Sequence, residues 1–386
     1  MPFDPISYQL AKKATAQSVV NYDRNGDGFI EYIATRKYET MPAVGAMYEL
    51  AIDNADGYLK AFNPADNSWR RVSYAPLNGY SGFDNAGGGA WHNYINIPVT
   101  TIPSEYAQYK VVINGGTVEV YSVDGTLKAS GSGLDSFWTY VRSDGLDLRA
   151  FDQAKSQLYF YVESWDYVNQ KATIRVKLPS GSTELNIAYG NQSAIKSDYE
   201  DPERVYDFYW HYSSNDLSAF DVVKGSWTFS SDGLHSTDGS DDVAYLKTIQ
   251  IFNPDIVLEV KHKSAGSGGG YTIGFGEQYD TSAKLGIYSG VRQGANRDHS
   301  AVVDGTLYNT VSYPFNTDWH ITRVIWTTSK IEAWIDDDYY TYADVSRTDY
   351  PVLLQSNNHE HVWEWVKVSK FADPADFGTP VIASFD

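Results

Sequence analysis

The chain has 386 residues, 15% of them aromatic and 42% hydrophobic, enough apolar material for two or three packed domains and too much for a disordered chain. Thirty Lys and Arg against 49 Asp and Glu give a formal net charge of −19, which argues against binding nucleic-acid phosphates or anionic membranes. The sequence has no cysteine, excluding thiol catalysis, thiolate-bound zinc and disulfides, and no apolar run of about 18 residues that would insert into a bilayer.

The first segment, residues 1–40, predicts one helix and one loop. Asp4 suits an N-cap, Pro5 the first helical position, and Ile6, Leu10 and Ala14 recur along one face. This thin stripe either docks on another subunit or frays. The acid-before-base order and the missing apolar core argue against a signal peptide. In NYDRNGDGFIEY, Asp23, Asn25 and Asp27 alternate, Gly28 allows a sharp turn, Phe29 offers a carbonyl and Glu31 a carboxylate. Calcium takes six to eight oxygen ligands, and this set supplies most of them. Ala34 stands where an EF-hand needs its twelfth-position Glu, so the loop is a shortened structural calcium site or a solvated polar turn.

After about Tyr38 the pattern is β. Ala172, Ile174, Val176 and Leu178 alternate with Thr173, Arg175 and Lys177, and Ile256, Leu258 and Val260 with Glu259 and Lys261. Ile331, Ala333 and Ile335 repeat the pattern, and Val362 to Val368 carries Trp363 and Trp365 on the face opposite its valines. Turn clusters such as Asn114-Gly115-Gly116, Asp124-Gly125, Asp232-Gly233 and Asp304-Gly305 separate these runs, a spacing that predicts β-sandwiches. Gly87 to Gly89 and Ser264 to Gly270 fit long hairpin loops. The polar, proline-containing stretch Lys196 to Arg204 marks the domain boundary.

Ser136–Asp152 (SFWTYVRSDGLDLRAFD) is followed by Leu158–Asp166 (LYFYVESWD), Lys171–Pro179 (KATIRVKLP) and Ala188–Ala194 (AYGNQSA). This order resembles an uncharacterised domain family of archaeal and bacterial surface proteins, whose pattern runs D-G-x-D-[IL]-R, E-x-W, V-K-[VL]-P and Y-G-N. Ala150 before Phe151 departs from it. The second half, from VYDFYWHYSS through DIVLEVKHK and YTIGFGE to VWEWVKVSKFADP, resembles a concanavalin-A-like, laminin-G-type jelly roll. Together the resemblances span roughly Trp69 to Pro374. They imply recognition or architecture at a surface, and no catalytic residue set.

Candidate chemistry is sparse. His359-Glu360-His361 places two imidazoles on one side of a strand, a pair compatible with a metal or with surface histidines. The acidic runs Asp336 to Asp338 and Asp238 to Asp242 suit solvated loops or a cation site on a rim. A glycosidase needs two carboxylates about 5–10 Å apart, and the E-x-D-x-x-E strand of concanavalin-like retaining enzymes is missing. There is no G-x-S-x-G elbow, H-E-x-x-H helix or phosphate loop. The 31 tyrosines remain, in clusters such as Tyr206 to Tyr212 and Tyr339 to Tyr342. Aromatic rings stack on the C–H faces of sugars and equally pack cores and interfaces. Tyr339 and Tyr340, beside the solvated Asp337, are the best candidates for exposed, glycan-binding rings.

These readings predict an all-β chain of two β-sandwiches, the second a concanavalin-A-like jelly roll, preceded by a short N-terminal helix. The expected units are residues 1–40, 41–200, 201–374 and a C-terminal tail, 375–386. The expected function is a non-enzymatic protein at a cell or virion surface that binds glycans or a host surface, with calcium as structural cofactor. Homo-oligomers, and contacts with other virion or surface-layer subunits, are expected. The alternatives are a purely architectural lattice or fibre subunit and a glycoside hydrolase with an unrecognised carboxylate pair.

Overall fold

Among the described residues the strands form five sheets, four of which make two face-to-face pairs. A computed structural model describes the strands Arg36–Tyr38, Leu50–Asp53, Leu59–Asn63 and Ser68–Arg71, then residues 80–385 except 88, 238–242, 266–269, 277–283, 292–295, 305, 315, 347, 358–359 and 372–374. The expected N-terminal helix and the calcium-type loop of Asp23, Asn25, Asp27, Phe29 and Glu31 lie outside the described residues.

Layer 1 has the strand order Asp376–Phe377, Asn93–Thr101, Glu184–Tyr189, Arg149–Phe151, with Val381–Ser384 also paired to Asn93–Thr101. Layer 2 runs Phe160–Asp166, Lys171–Leu178, Ala107–Asn114, Thr117–Ser122, Leu127–Ser132. The strand Lys171–Leu178 shows why these layers face each other: Ala172, Ile174, Val176 and Leu178 are buried against layer 1, while Thr173, Arg175 and Lys177 point away. Each fully buried Ile, Val or Leu contributes about 1.5–3 kcal/mol. Gly115, at φ +55°, makes the tight turn between Ala107–Asn114 and Thr117–Ser122.

The second sandwich is a jelly roll whose chain passes repeatedly between an eight-stranded and a seven-stranded sheet. Layer 3 has the order Ser226–Ser230, Gly233–Thr237, His361–Lys370, Ile256–Ser264, His320–Trp326, Lys330–Ile335, Tyr339–Asp344, with Phe208–His211 also on His361–Lys370. Layer 4 runs Phe220–Lys224, Val243–Phe252, Tyr350–Asn357, Gly270–Gly276, Lys284–Val291, Asn296–Val303, Thr306–Pro314. Leu258, Val260, Val324, Ile331 and Val366 from layer 3 meet Leu246, Ile273, Val352 and Leu354 from layer 4 in its core.

Layers 2 and 3 pack through their outer faces, so the seam between the sandwiches is charged. Arg175 donates to Glu163 at 3.0 Å and to Glu259 at 3.2 Å, and Lys367 pairs with Glu163. A small apolar cluster of Val123, Val257 and Ile325, with Trp334 and Phe371, completes the contact. The chain crosses from one sandwich to the other through the short helix Pro202–Val205, capped by the Asp201 carboxylate on the Glu203 N–H.

The D-G-x-D-L-R and Y-G-N segments form a latch on layer 1. The buried Asp147 carboxylate accepts the N–H of Gly190 at 2.7 Å and of Arg142 at 3.1 Å, and burial pushes it up to about 6. Arg149, fully buried, lies over Trp91 and donates to the Asp84 carboxylate at 2.7 Å and the Ile195 carbonyl at 2.8 Å. Asn191 donates to the Ala86 carbonyl, and Gly190 takes the left-handed φ of +96° that the closing turn requires.

Three expectations are corrected. Residues 375–386 are not a tail: Asp376–Phe377 and Val381–Ser384 are strands of layer 1, because Phe377 and Phe385 have apolar sites to fill there. The described strands up to Arg71 form a separate sheet, with Arg36–Tyr38 parallel to Leu50–Asp53, and pair with neither layer of the first sandwich expected to begin at residue 41, whose first described strand is Asn93–Thr101. Trp363 and Trp365 do not share a face, because an irregularity in pairing against Lys261 and His262 breaks the alternation. Trp363 enters the core, and Trp365 faces the seam.

Candidate functional site

The outer face of layer 3 carries an aromatic ladder. Antiparallel register sets Arg323, Trp334 and Tyr340 in one row across three strands, and Ile325, Glu332 and Tyr342 in the next. Alternation sends Ile331, Ala333 and Ile335 into the core, so Trp334, Tyr340 and Tyr342 must face outward. Trp334 and Tyr340 lie 5.0 Å apart between centroids. Tyr340 and Tyr342 are stacked at 5.6 Å with an angle of 21° between their planes. Tyr340 is 36% and Tyr342 41% exposed.

Polar groups hold the ladder in place. Tyr340 Oη donates to Glu332 Oε1 at 2.5 Å, and Lys330 Nζ donates to the same oxygen at 2.7 Å while lying 4.7 Å from the Tyr342 ring centroid. Hydrogen bonds to Glu332 and Tyr340 push Lys330 up to about 12. Partial burial would raise Glu332, but Lys330 and Tyr340 outweigh it and hold its carboxyl low. A preorganised aromatic surface loses little side-chain freedom on binding.

The ladder leads into a cleft of about 600 Å³ between layers 2 and 3. Arg323 forms the junction: its guanidinium lies 5.0 Å over Trp334 and pairs with Asp337 at 2.7 Å, and both Arg323 and Asp337 line the cleft. Tyr161 and Trp365 add aromatic wall, and Lys367 lies 3.7 Å over the Trp365 ring. Depressions of about 650 and 810 Å³ continue along the seam, the first sharing Tyr161 and His211 with the cleft, the second sharing Asp207 with the first.

Most carboxylates of the cleft face a cation. Burial would raise Glu163, but Arg175 and Lys367 outweigh it and hold the carboxyl well below the usual range. Glu259 pairs with Arg175, Glu364 with Lys261 at 2.8 Å and Asp337 with Arg323. Asp336 accepts from His320 at 2.6 Å and from the Ile321 N–H at 2.8 Å. Among the described residues no group of three His, Asp or Glu is arranged to hold a metal ion.

Of the three residues singled out for glycan binding, Tyr340 is in the ladder and Asp337, 74% exposed, stands at the cleft mouth. Tyr339 is not an exposed ring: alternation turns it inward, half-buried, with its centroid 5.3 Å from that of Tyr313. Sequence reasoning missed Trp334, Arg323 and the seam. A hairpin register read outward from Asp336-Asp337-Asp338 would have placed Trp334 opposite Tyr340. His361 is no surface histidine either, being buried with Nε2 2.8 Å from His262 Nδ1. His359 and Asp238 to Asp242 lie outside the described residues.

A profile of the family described as Domain of unknown function (DUF2341) matches residues 144–230, from the latch through the seam strands Phe160–Asp166 and Lys171–Leu178 into the second sandwich. No curated protein matches the chain. Among solved structures, it is similar to a carbohydrate binding module, CBM66 from Bacillus subtilis, at 14% identity over 40% of this chain and 98% of that one, with a TM-score of 0.33. A prokaryotic beta-1,3-1,4-glucanase (lichenase) derived from a mouse hindgut metagenome is similar at 13% identity, over 43% and 99% of the two chains, with a TM-score of 0.34. A protein of unknown function with galectin-like fold from Bacillus subtilis is similar at 12% identity, over 42% and 98%, with a TM-score of 0.35.

Proposed function

We propose that this chain is a non-enzymatic glycan-binding protein of an extracellular or virion surface, and that it holds sugars on the ladder of Trp334, Tyr340 and Tyr342. The observation that carries this reading is an exposed aromatic stack fixed from below by Glu332 and Lys330. Such a surface offers ring faces and edges to sugar C–H groups, and neighbouring carboxylate and ammonium groups to hydroxyls. The non-enzymatic part rests on the cleft carboxylates. Glycoside hydrolysis needs one protonated and one ionised carboxyl group, whereas Arg175 and Lys367 hold Glu163 ionised, and Glu259, Glu364 and Asp337 are each engaged in an ion pair.

The structural calcium role for Asp23, Asn25, Asp27, Phe29 and Glu31 belongs to the same proposal and is supported by their spacing. The test is a broad glycan array probed with the purified chain, first with calcium and then with chelator. Saturable binding to defined glycans is the expected result, and chelator sensitivity would tie calcium to the site.

A second reading, an architectural subunit, draws on a different feature. Val222 and Val223 on one strand, and Ile249 and Ile251 on its neighbour in layer 4, are 44–58% exposed. Apolar side chains at a sheet edge suit contacts between copies. A blank array, together with concentration-dependent assembly of the folded chain, would favour this reading over the first.

A further inference from the structure

The seam cleft is lined by a cation with no ion-pair partner among the described residues. Lys110 sits directly opposite Arg175 on the neighbouring strand, and both line the cleft. Like charges in that relationship are destabilising. Arg175 is compensated by Glu163 and Glu259, Lys261 by Glu364 and Lys367 by Glu163. Among the described residues Lys110 has no hydrogen bond and no carboxylate within ion-pair distance. Its ammonium lies 4.9 Å over the Tyr121 ring, and burial followed by the Arg175 charge pulls its pKa down. In the same cleft the Nε of Arg323 is buried with no acceptor, although its Nη2 holds Asp337. An unpaired donor in a dry site is costly, and the Arg323 Nε is one, while the half-buried Lys110 ammonium in the same cleft lies over an aromatic ring and not on a carboxylate.

We propose that this cleft receives the carboxylate of an acidic sugar, a uronic acid, on Lys110 and Arg323, with the chain's neutral sugars continuing onto the Trp334–Tyr340–Tyr342 ladder. The inference rests on the glycan-binding reading and names its ligand class. A cavity of about 600 Å³ lies within the usual range for small-ligand sites. Arg323 belongs to both parts of the surface, touching Trp334 on the ladder and lining the cleft. The net charge of −19 and the carboxylates around Lys110 favour one isolated carboxylate over a densely charged polyanion.

The experiment is calorimetric titration of the full chain with a uronate-containing oligosaccharide and with its methyl ester. The acid should bind about tenfold more tightly than the ester, the scale of one charge-assisted hydrogen bond. Lys110→Met should erase that difference with the ester still bound and the melting temperature no lower than the parent's, because it removes a like charge opposite Arg175, and Lys110→Arg should retain it. If the acid and ester bind equally, or if the preference survives Lys110→Met, the uronate site is wrong and the glycan reading stands. If the folded chain binds neither, both are wrong. Preference for a glutamate-rich peptide over the acidic saccharide would overturn the saccharide assignment.

Discussion

Arg175 of the first sandwich reaches across the seam and donates through Nη2 to Glu259 of the second at 3.2 Å, with 5% of its own side chain exposed. The same guanidinium holds Glu163 through Nε. Burial would weaken the charge on Arg175, but the two carboxylates outweigh it and hold it firmly protonated. Arg175→Met therefore strands Glu259 without its cation. The expected cost is about 3–5 kcal/mol, measured by urea unfolding, with calorimetry resolving separate transitions for the two sandwiches. A loss below about 1 kcal/mol would show that the pair does not couple them. Substituting Arg175, Glu163, Glu259 and Lys367 together by apolar residues, so that no buried charge is left alone, should recover much of the loss.

Phe377 follows the second sandwich in sequence yet packs in the first, its ring centroid 4.8 Å from that of Tyr109 in a T-shaped contact. Phe377→Ala should cost about 3–5 kcal/mol. Hydrogen exchange should locate the loss in layers 1 and 2, leaving layers 3 and 4 protected. Loss of protection confined to layer 4 would contradict this placement.

His299 in layer 4 is fully buried with neither ring nitrogen bonded to a described residue, and burial pulls it down to about 3. The unfolded chain takes up a proton near pH 6.5 that the folded chain refuses. Its contribution to stability is therefore complete above pH 6.5 and lost as the pH falls toward 3, by about 2 kcal/mol at pH 5. His299→Leu should flatten this part of the pH–stability profile. An unchanged slope between pH 7 and 5 would mean that His299 is not the group responsible.

On the ladder, Tyr340→Ala and Tyr342→Ala should each weaken glycan binding about tenfold, since stacking on one ring is worth roughly 1–2 kcal/mol. Both side chains are exposed, so melting temperatures should shift little. Tyr339→Ala serves as the contrast: it removes a ring packed against the core and should lower stability. Full affinity in the Tyr340/Tyr342 double variant would move the site elsewhere.

Saturating calcium should raise the melting temperature of the parent chain by mass action and leave Asp23→Ala unmoved. Equal behaviour of the two proteins would remove the calcium site.

Strand positions were readable from the sequence wherever one face is buried and the other wet. Ala172, Ile174, Val176 and Leu178 show this in layer 2, as do Ile331, Ala333 and Ile335 in layer 3. The pattern failed at Trp363 and Trp365, because a pairing irregularity adds one residue without leaving a mark in composition. It also failed at Tyr339 and Tyr340, where adjacent tyrosines look alike and the phase of the strand decides which is exposed. His361 looked like a surface residue because its partner, His262, is 99 positions away.

By itself, the sequence determined the β class, the two sandwiches and the candidacy of Tyr340 and Asp337, because side-chain alternation and turn chemistry are local. Only the tertiary structure decided that the outward charges Arg175 and Glu259 are interior to the molecule, that Phe377 returns to the first core, and that Lys110 faces a cleft with Arg323. Those facts depend on which outer faces meet, a choice among long-range contacts that no local spacing encodes.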